Sequence, residues 1–364
     1  MSASAKHRIL LILTGGTICS FENAKGEQEA DTERAQAVIV QNFRQSDCVY
    51  RDEACVAFDV RRPLDILSEN MTVTHWNTLI HHLKSYDFSL YDGVILLHGT
   101  DTLAYTASLL SLLMAGTKIP ILLVSAILPL YNENTNGNAN FKAAVELILN
   151  GIRPNVYAVY RNTEIVKGQA SHTMYLHFGA HLLQCANHSD NFYSCDSIPL
   201  RVDNACAEGR ACKAREMPLY TCGEFSPCVL RILPYVGMDY RHFDLNGVRA
   251  VLHGTYHSST MTVNPYSAAH EDTKSANSPD SILYLKRRCD EHVPPIPLWI
   301  EPCQPEKTYL YETTGIVLRS GVGAIWEMTS EMAYVKLLLG CAKGLVGDAL
   351  NEYLHTEING EFIR

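Results

Sequence analysis

No stretch of the chain supplies the roughly 20 consecutive apolar residues that a membrane-spanning helix needs. Positive charge is not in excess either: 39 Asp and Glu outnumber 30 Lys and Arg, for a net charge of −9. That balance argues against a duplex nucleic-acid binder, whose affinity rests on clustered Lys and Arg. The dinucleotide turn G-x-G-x-x-G is missing, and so is the paired CxxC spacing of a structural zinc site. The 12 cysteines, Cys19, Cys48, Cys55, Cys185 and Cys195 among them, are dispersed without the spacing of a small disulfide scaffold. The opening MSASAKHRILLIL runs into an apolar strand with no small-residue cleavage site before it. A cytoplasmic protein with free thiols, no metal and no cofactor is therefore expected. Internal repeats and low-complexity segments are also not evident.

What is present is an ordinary globular composition, 47% apolar and 19% charged over 364 residues. That length favours two domains over one. Three continuous apolar runs, Arg8–Leu13, Gly93–Leu97 and Ile119–Ser125, read as strands buried on both faces. Helical spacing follows over Thr102–Ala115 and Ala139–Leu149, and another strand is expected at Val156–Arg161. Strand alternating with helix predicts a parallel sheet covered by helices, whose ligands bind beyond the carboxyl ends of the strands. A second such pattern comprises strands at Val229–Pro234, Gly247–His253 and Pro297–Pro302 and helices over Asp280–His292 and Thr329–Leu339. The fold class is thus α/β in two domains. Residues 1–215 form the larger N-terminal parallel-sheet domain, 216–227 the linker, and 228–364 a smaller C-terminal α/β domain.

Two strand ends carry unusual polarity. The first apolar run ends in TGGT, Thr14 to Thr17, and the second in HGTDT, His98 to Thr102. Taken alone, TGGT reads either as a plain strand-to-helix turn or as a turn that lets a ligand approach backbone N–H groups. HGTDT alone reads equally as an N-cap for the helix beginning near Leu103. Together they bring two threonine hydroxyls and one carboxylate to one rim.

TGGTI, HGTDTLAYTASLLS, ILSENMT, GTYHSST and the late MTSEMAYVKLLLG together resemble the L-asparaginase family, on its cytoplasmic type I branch, across nearly the whole chain. The resemblance implies a two-domain asparaginase-like fold and threonine-based hydrolysis of a small amide, asparagine giving aspartate and ammonia. It implies that Thr17 is the nucleophile, with Thr100 and Asp101 as the second threonine and its aspartate. Gly16, Ser68, Glu69, Gly99 and Ser125 are implied on the substrate side, with backbone N–H groups near Thr100 and after Ser125 facing the developing oxyanion. Ser68 reads equally as the cap of a helix over Met71–Leu83. A small amino-acid substrate and a homodimer or homotetramer are implied partners; nucleic acid and membrane are not.

Three departures from the family pattern are visible. The loop Ile18–Thr32 lacks the family's tyrosine and is acidic instead, so Glu27 or a residue from elsewhere would take its place. The family's lysine, counted back from the segment DNFYS at Asp190–Ser194, falls on Leu183 or Gln184; Lys167 and His181 are the alternative substitutes. Asn136 in TNGNANF stands where the family has an acid. These departures motivate a rival reading, an asparaginase fold that binds an acidic amino acid without efficient turnover. A third reading is the ammonia-generating subunit of a tRNA-dependent amidotransferase, although that subunit carries an extra domain ahead of TGGT.

Overall fold

The computed structural model describes residues 6–195, 200–201, 217–263, 276–301 and 311–363. Strand β1 (His7–Leu13) carries Ile9 to Leu13 without measurable exposure, as an unbroken apolar run in the middle of a parallel sheet requires. Beyond it lie the short hairpin strands β2 (Ser20–Glu22) and β3 (Gln28–Ala30), then helix α1 (Thr32–Gln45) and β4 (Val56–Arg61). Helix α2 (Val73–Lys84) leads to β5 (Gly93–Leu97), α3 (Leu103–Leu113) to β6 (Ile121–Val124), and α4 (Gly137–Leu149) to β7 (Val156–Val166). Two antiparallel strands, β8 (Gln169–Phe178) and β9 (Leu200–Arg201), complete a seven-stranded sheet of order β4-β1-β5-β6-β7-β8-β9.

From β1 the chain first goes to β4 on one side and then returns to β5 on the other. The β1/β5 boundary is therefore the point where strand order reverses, and in open sheets of this kind ligands bind outside the carboxyl ends of the strands at such a point. The motifs TGGT and HGTDT are the turns leaving β1 and β5.

Most expected elements form within a few residues of their sequence limits, but two local readings are corrected. Helix α2 starts at Val73, capped by Thr72 in a reciprocal bond with His75, so Ser68 does not cap it. The strand expected at Val156–Arg161 runs on to Val166 because it turns back as a hairpin with β8. Period-2 runs on an edge hairpin are only partly apolar, so they give a weaker signal than buried parallel strands.

A second sheet, order β10-β11-β12-β13 and parallel throughout, joins β10 (Val229–Ile232), β11 (Ala250–His253), β12 (Leu298–Ile300) and β13 (Gly323–Ala324). The helices among its described residues are α5 (Ile282–Glu291), α6 (Glu312–Arg319), α7 (Ser330–Ala342) and α8 (Gly347–His355). Thr329 caps α7 by accepting from the Met332 N–H, and Met332 cannot return the bond, so a full capping box is not formed. The expected Pro302 end of β12 lies outside the described residues, as does much of the connection after Arg201. The chain divides into two compact units, Met1–Cys222 with Ile358–Gly360, and Gly223–Glu357 with Glu361–Arg364. No helix among the described residues is long and apolar enough to cross a membrane.

Candidate active site

The first threonine of TGGT is consumed by structure. Both the Thr14 N–H and its hydroxyl donate to the Leu97 carbonyl, at 3.1 and 2.9 Å, stitching the end of β1 to the end of β5. Gly15 and Gly16 then turn the chain at φ +107° and +78°, a region L side chains avoid. Space imposes the same residue: a Cβ on Gly16 would lie 2.1 Å from the Gly99 Cα. The two turns are thus in backbone contact, and Thr17 and Thr100 each follow one of the touching glycines. Thr17 sits half-buried in a 3-10 turn over Thr17–Cys19, and its hydroxyl makes no hydrogen bond among the described residues.

A buried histidine shapes the second turn. His98 faces the Gly99 carbonyl through Nδ1 at 2.8 Å and the Thr106 hydroxyl through Nε2 at 2.9 Å. A carbonyl can only accept, so Nδ1 carries the proton and Nε2 accepts from Thr106, which in turn accepts from the Trp76 indole N–H at 3.2 Å. Burial pushes the imidazole down to about 4, so the ring is neutral and its tautomer is fixed. The Gly99 carbonyl, and with it the Thr100–Asp101 turn, is held from below.

Ser68 holds the same turn from the side. Its hydroxyl donates to the Asp101 carboxylate at 3.0 Å and accepts from the Asp101 N–H at 3.2 Å, while the Ser68 carbonyl accepts from Thr102 at 2.9 Å. Gly99 must lack a side chain here too, because a Cβ would lie 2.3 Å from the Ser68 Oγ. Gly16, Ser68, Gly99 and Asp101 are thereby gathered into one patch. Glu69 is exposed beside Ser68 and makes no hydrogen bond among the described residues. Ser125 lies buried just past β6, the neighbouring strand; its carbonyl accepts from Asn140 at 2.9 Å while its hydroxyl has no partner among the described residues.

The position left open by the missing lysine is filled by an amide. Leu182 bridges Ser194 and the Leu183 N–H donates to Tyr193, so the DNFYS segment lines up against residues 182–184. This delivers the Gln184 Nε2, which donates to the Asp101 carbonyl at 2.5 Å. The other two candidate substitutes are placed elsewhere. Lys167 lies at the tip of the β7–β8 hairpin, and His181 gives its Nε2 to the Gly360 carbonyl at 2.8 Å.

Asn136 is structural. Its side-chain carbonyl accepts from the Ile127 N–H at 3.0 Å and its amide donates to the Arg161 carbonyl at 3.1 Å. A carboxylate could make the first bond and not the second, which is a physical reason for Asn at this place.

Histidines four residues apart, His177/His181 and His253/His257, invite a metal reading that the geometry does not support. His253 is buried, with Nδ1 on the Gly254 carbonyl at 2.6 Å and Nε2 on the Tyr240 hydroxyl at 2.7 Å. Among the described residues no cluster of three or more His, Cys, Asp or Glu could hold a metal ion.

Comparison with known proteins points to one family. Residues 8–177 match the family model described as asparaginase, N-terminal. An L-asparaginase of Thermococcus kodakarensis is 27% identical over 51% of this chain and 53% of its own, so the match spans about half of that relative. A glutamyl-tRNA(Gln) amidotransferase subunit of Methanobrevibacter smithii is 24% identical over 98% of this chain and 78% of its own. Among solved structures, the thermostable T. kodakarensis L-asparaginase superposes with a TM-score of 0.73 at 18% identity, covering 98% of this chain and 99% of the other. L-asparaginase I of Vibrio cholerae gives 0.70 at 19% identity, covering 99% and 100%. Residues 8–177, which hold both threonine turns, thus match an asparaginase N-terminal domain, and together with the shared two-domain fold they support an asparaginase-family protein of modest identity to its relatives.

Proposed function

We propose that the chain is an amidohydrolase that releases ammonia from L-asparagine or a related small amide, with Thr17 as nucleophile. The carrying observation is the contact of Gly16 with Gly99, which presents Thr17 and the Thr100–Asp101 pair from adjoining strand ends. In this reading the Thr17 oxygen attacks the side-chain amide carbon and the C–N bond breaks as ammonia leaves. Water then cleaves the acyl ester and restores the threonine. The backbone N–H groups of Thr17 and Thr100 make no hydrogen bond among the described residues and are the donors offered to the oxyanion. Thr100 handles the water and its proton, and Asp101, its carboxylate oriented by Ser68, takes the substrate's α-amino group. Ammonia release from asparagine, glutamine and short β-aspartyl amides tests the proposal; no release from any of them across the pH range contradicts it.

A second reading, an ammonia-generating component of a tRNA-dependent amidotransferase, draws support from the M. smithii match along 98% of this chain. Co-purification with an amidotransferase partner would favour it, and a free enzyme that turns over asparagine without any partner would count against it.

A further inference from the structure

The hairpin that springs from Thr17's own turn is too small to hold itself. Its strands β2 and β3 have three residues each and, among the described residues, pair with one another alone, Ser20 with Ala30, Phe21 with Glu29 and Glu22 with Gln28. An isolated two-stranded ribbon is marginal even when much longer, so contacts from outside must fix it. Two of them meet at Phe21. The Arg34 guanidinium lies 4.1 Å from the ring centroid, and the Tyr131 ring stacks on it with centroids 5.7 Å apart and planes 30° apart. Tyr131 also accepts from the Gln28 side-chain amide at 2.9 Å. Gln28 continues the chain inward: its Oε1 lies 3.2 Å from the Ser20 hydroxyl, which is also 3.0 Å from the Thr17 carbonyl and shares its single proton between the two acceptors.

We propose that Tyr131 is a positioning residue that latches the β2–β3 hairpin as a lid and, through Gln28 and Ser20, fixes the turn that presents Thr17. It rests on the reading of Thr17 as the reacting group. Tyr131 belongs to the loop after β6, the same loop whose start is held by Asn136 at the Ile127 N–H. The loop that follows Ser125 and the loop that follows Thr17 are therefore joined at one phenol. Tyr131 acts on the backbone of Thr17's turn and not on the reacting atoms, so its loss changes turnover without moving the pH profile. Removing its ring releases both the stack and the hydrogen bond; removing only its hydroxyl leaves the stack.

Lys25 reports the state of the lid. It lies exposed in the turn between β2 and β3, where its N–H donates to the Asn23 side chain at 2.9 Å. Trypsin cleavage after Lys25, followed by mass spectrometry, measures how often the lid opens, since cleavage tracks the open population when opening is fast. Tyr131→Ala is expected to raise cleavage at Lys25 at least about tenfold, and Tyr131→Phe about fivefold, from the loss of a stack and a hydrogen bond or of the bond alone. Gln28→Ala breaks the same bond from the lid side and is expected to match Tyr131→Phe. In ammonia release, kcat falls in the same order while the pH profile stays in place. Wild-type cleavage at Lys25 in Tyr131→Ala would overturn the latch, and so would a shifted pH profile in Tyr131→Phe with an unchanged lid. The cleavage readout needs no turnover, so a chain without amidase activity would contradict the proposed function and leave the latch test standing.

Discussion

The Gln184 side-chain amide donates to the Asp101 carbonyl at 2.5 Å, so a neutral group lies against the threonine–aspartate turn where the family resemblance calls for a lysine. The amide positions the backbone of Asp101 but brings no positive charge to the pair. If charge at this place limits the reaction, restoring it should be visible. Gln184→Lys is expected to raise kcat/KM for asparagine by at least about tenfold, within the range positioned proton transfer commands. Steady-state ammonia release decides it; an unchanged or lower value would mean that Thr100 and Asp101 do not need a cation here.

The contact between the two glycine turns carries a steric prediction. Gly16→Ala forces a methyl to within 2.1 Å of the Gly99 Cα at a backbone φ of +78°. The turns must separate, and Thr17 moves with them. A displacement near 1 Å costs about 100-fold in rate, so kcat/KM for asparagine should fall by at least that factor. Activity within a few-fold of the parent in Gly16→Ala would show that the turns are not the site.

The buried neutral histidine gives a pH dependence with a definite sign. The His98 imidazole sits at about 4 in the fold against 6.5 outside it. Between those values the unfolded chain binds a proton that the folded chain refuses, so the contribution of His98 to stability is whole above pH 6.5 and drains away down to pH 4. The span of roughly 2.5 pH units corresponds to something on the order of 3 kcal/mol. Urea unfolding at pH 7 and pH 4.5 should show the loss in the parent and a smaller loss in His98→Gln. Equal losses in both proteins would remove His98 from the account.

Asn136 offers a fourth test. Replacing it with the acid the family uses, Asn136→Asp, keeps the acceptor for Ile127 but turns the donor toward Arg161 into a second acceptor facing a carbonyl. The expected cost is about 1–3 kcal/mol of stability, read from the urea midpoint. A neutral or stabilised variant would mean that the Arg161 contact contributes nothing.

The parts of this molecule that are legible in the sequence are local. Buried parallel strands announce themselves as apolar runs, and β1 and β5 end where Leu13 and Leu97 suggest. The polar turns after them are conspicuous because small and polar residues have no reason to follow a buried strand unless the turn or a ligand needs them. The illegible parts are long-range. Gln184 reaches Asp101 across 83 positions, and Gln28 reaches Tyr131 across 103, so no periodicity could pair them. Ser68 reads as a possible helix cap because a hydroxyl before a helical run is the ordinary signal; the cap is Thr72, and Ser68 bonds Asp101 instead. Likewise His98 and His253 share one wiring, Nδ1 on the next glycine's carbonyl and Nε2 on a hydroxyl, in two separate units. The likeness of HGTD to HGTY is too short to stand out as a repeat.

The proposed role of Thr17 is that of the nucleophile in an amide hydrolysis. Its most direct test is the purified protein incubated with asparagine, beside Thr17→Ala, with ammonia measured over time and the protein's mass recorded at early times. Expected are ammonia from the parent, a transient mass increase matching an aspartyl ester on the peptide containing Thr17, and neither from Thr17→Ala. Ammonia released at the parental rate by Thr17→Ala would contradict that role.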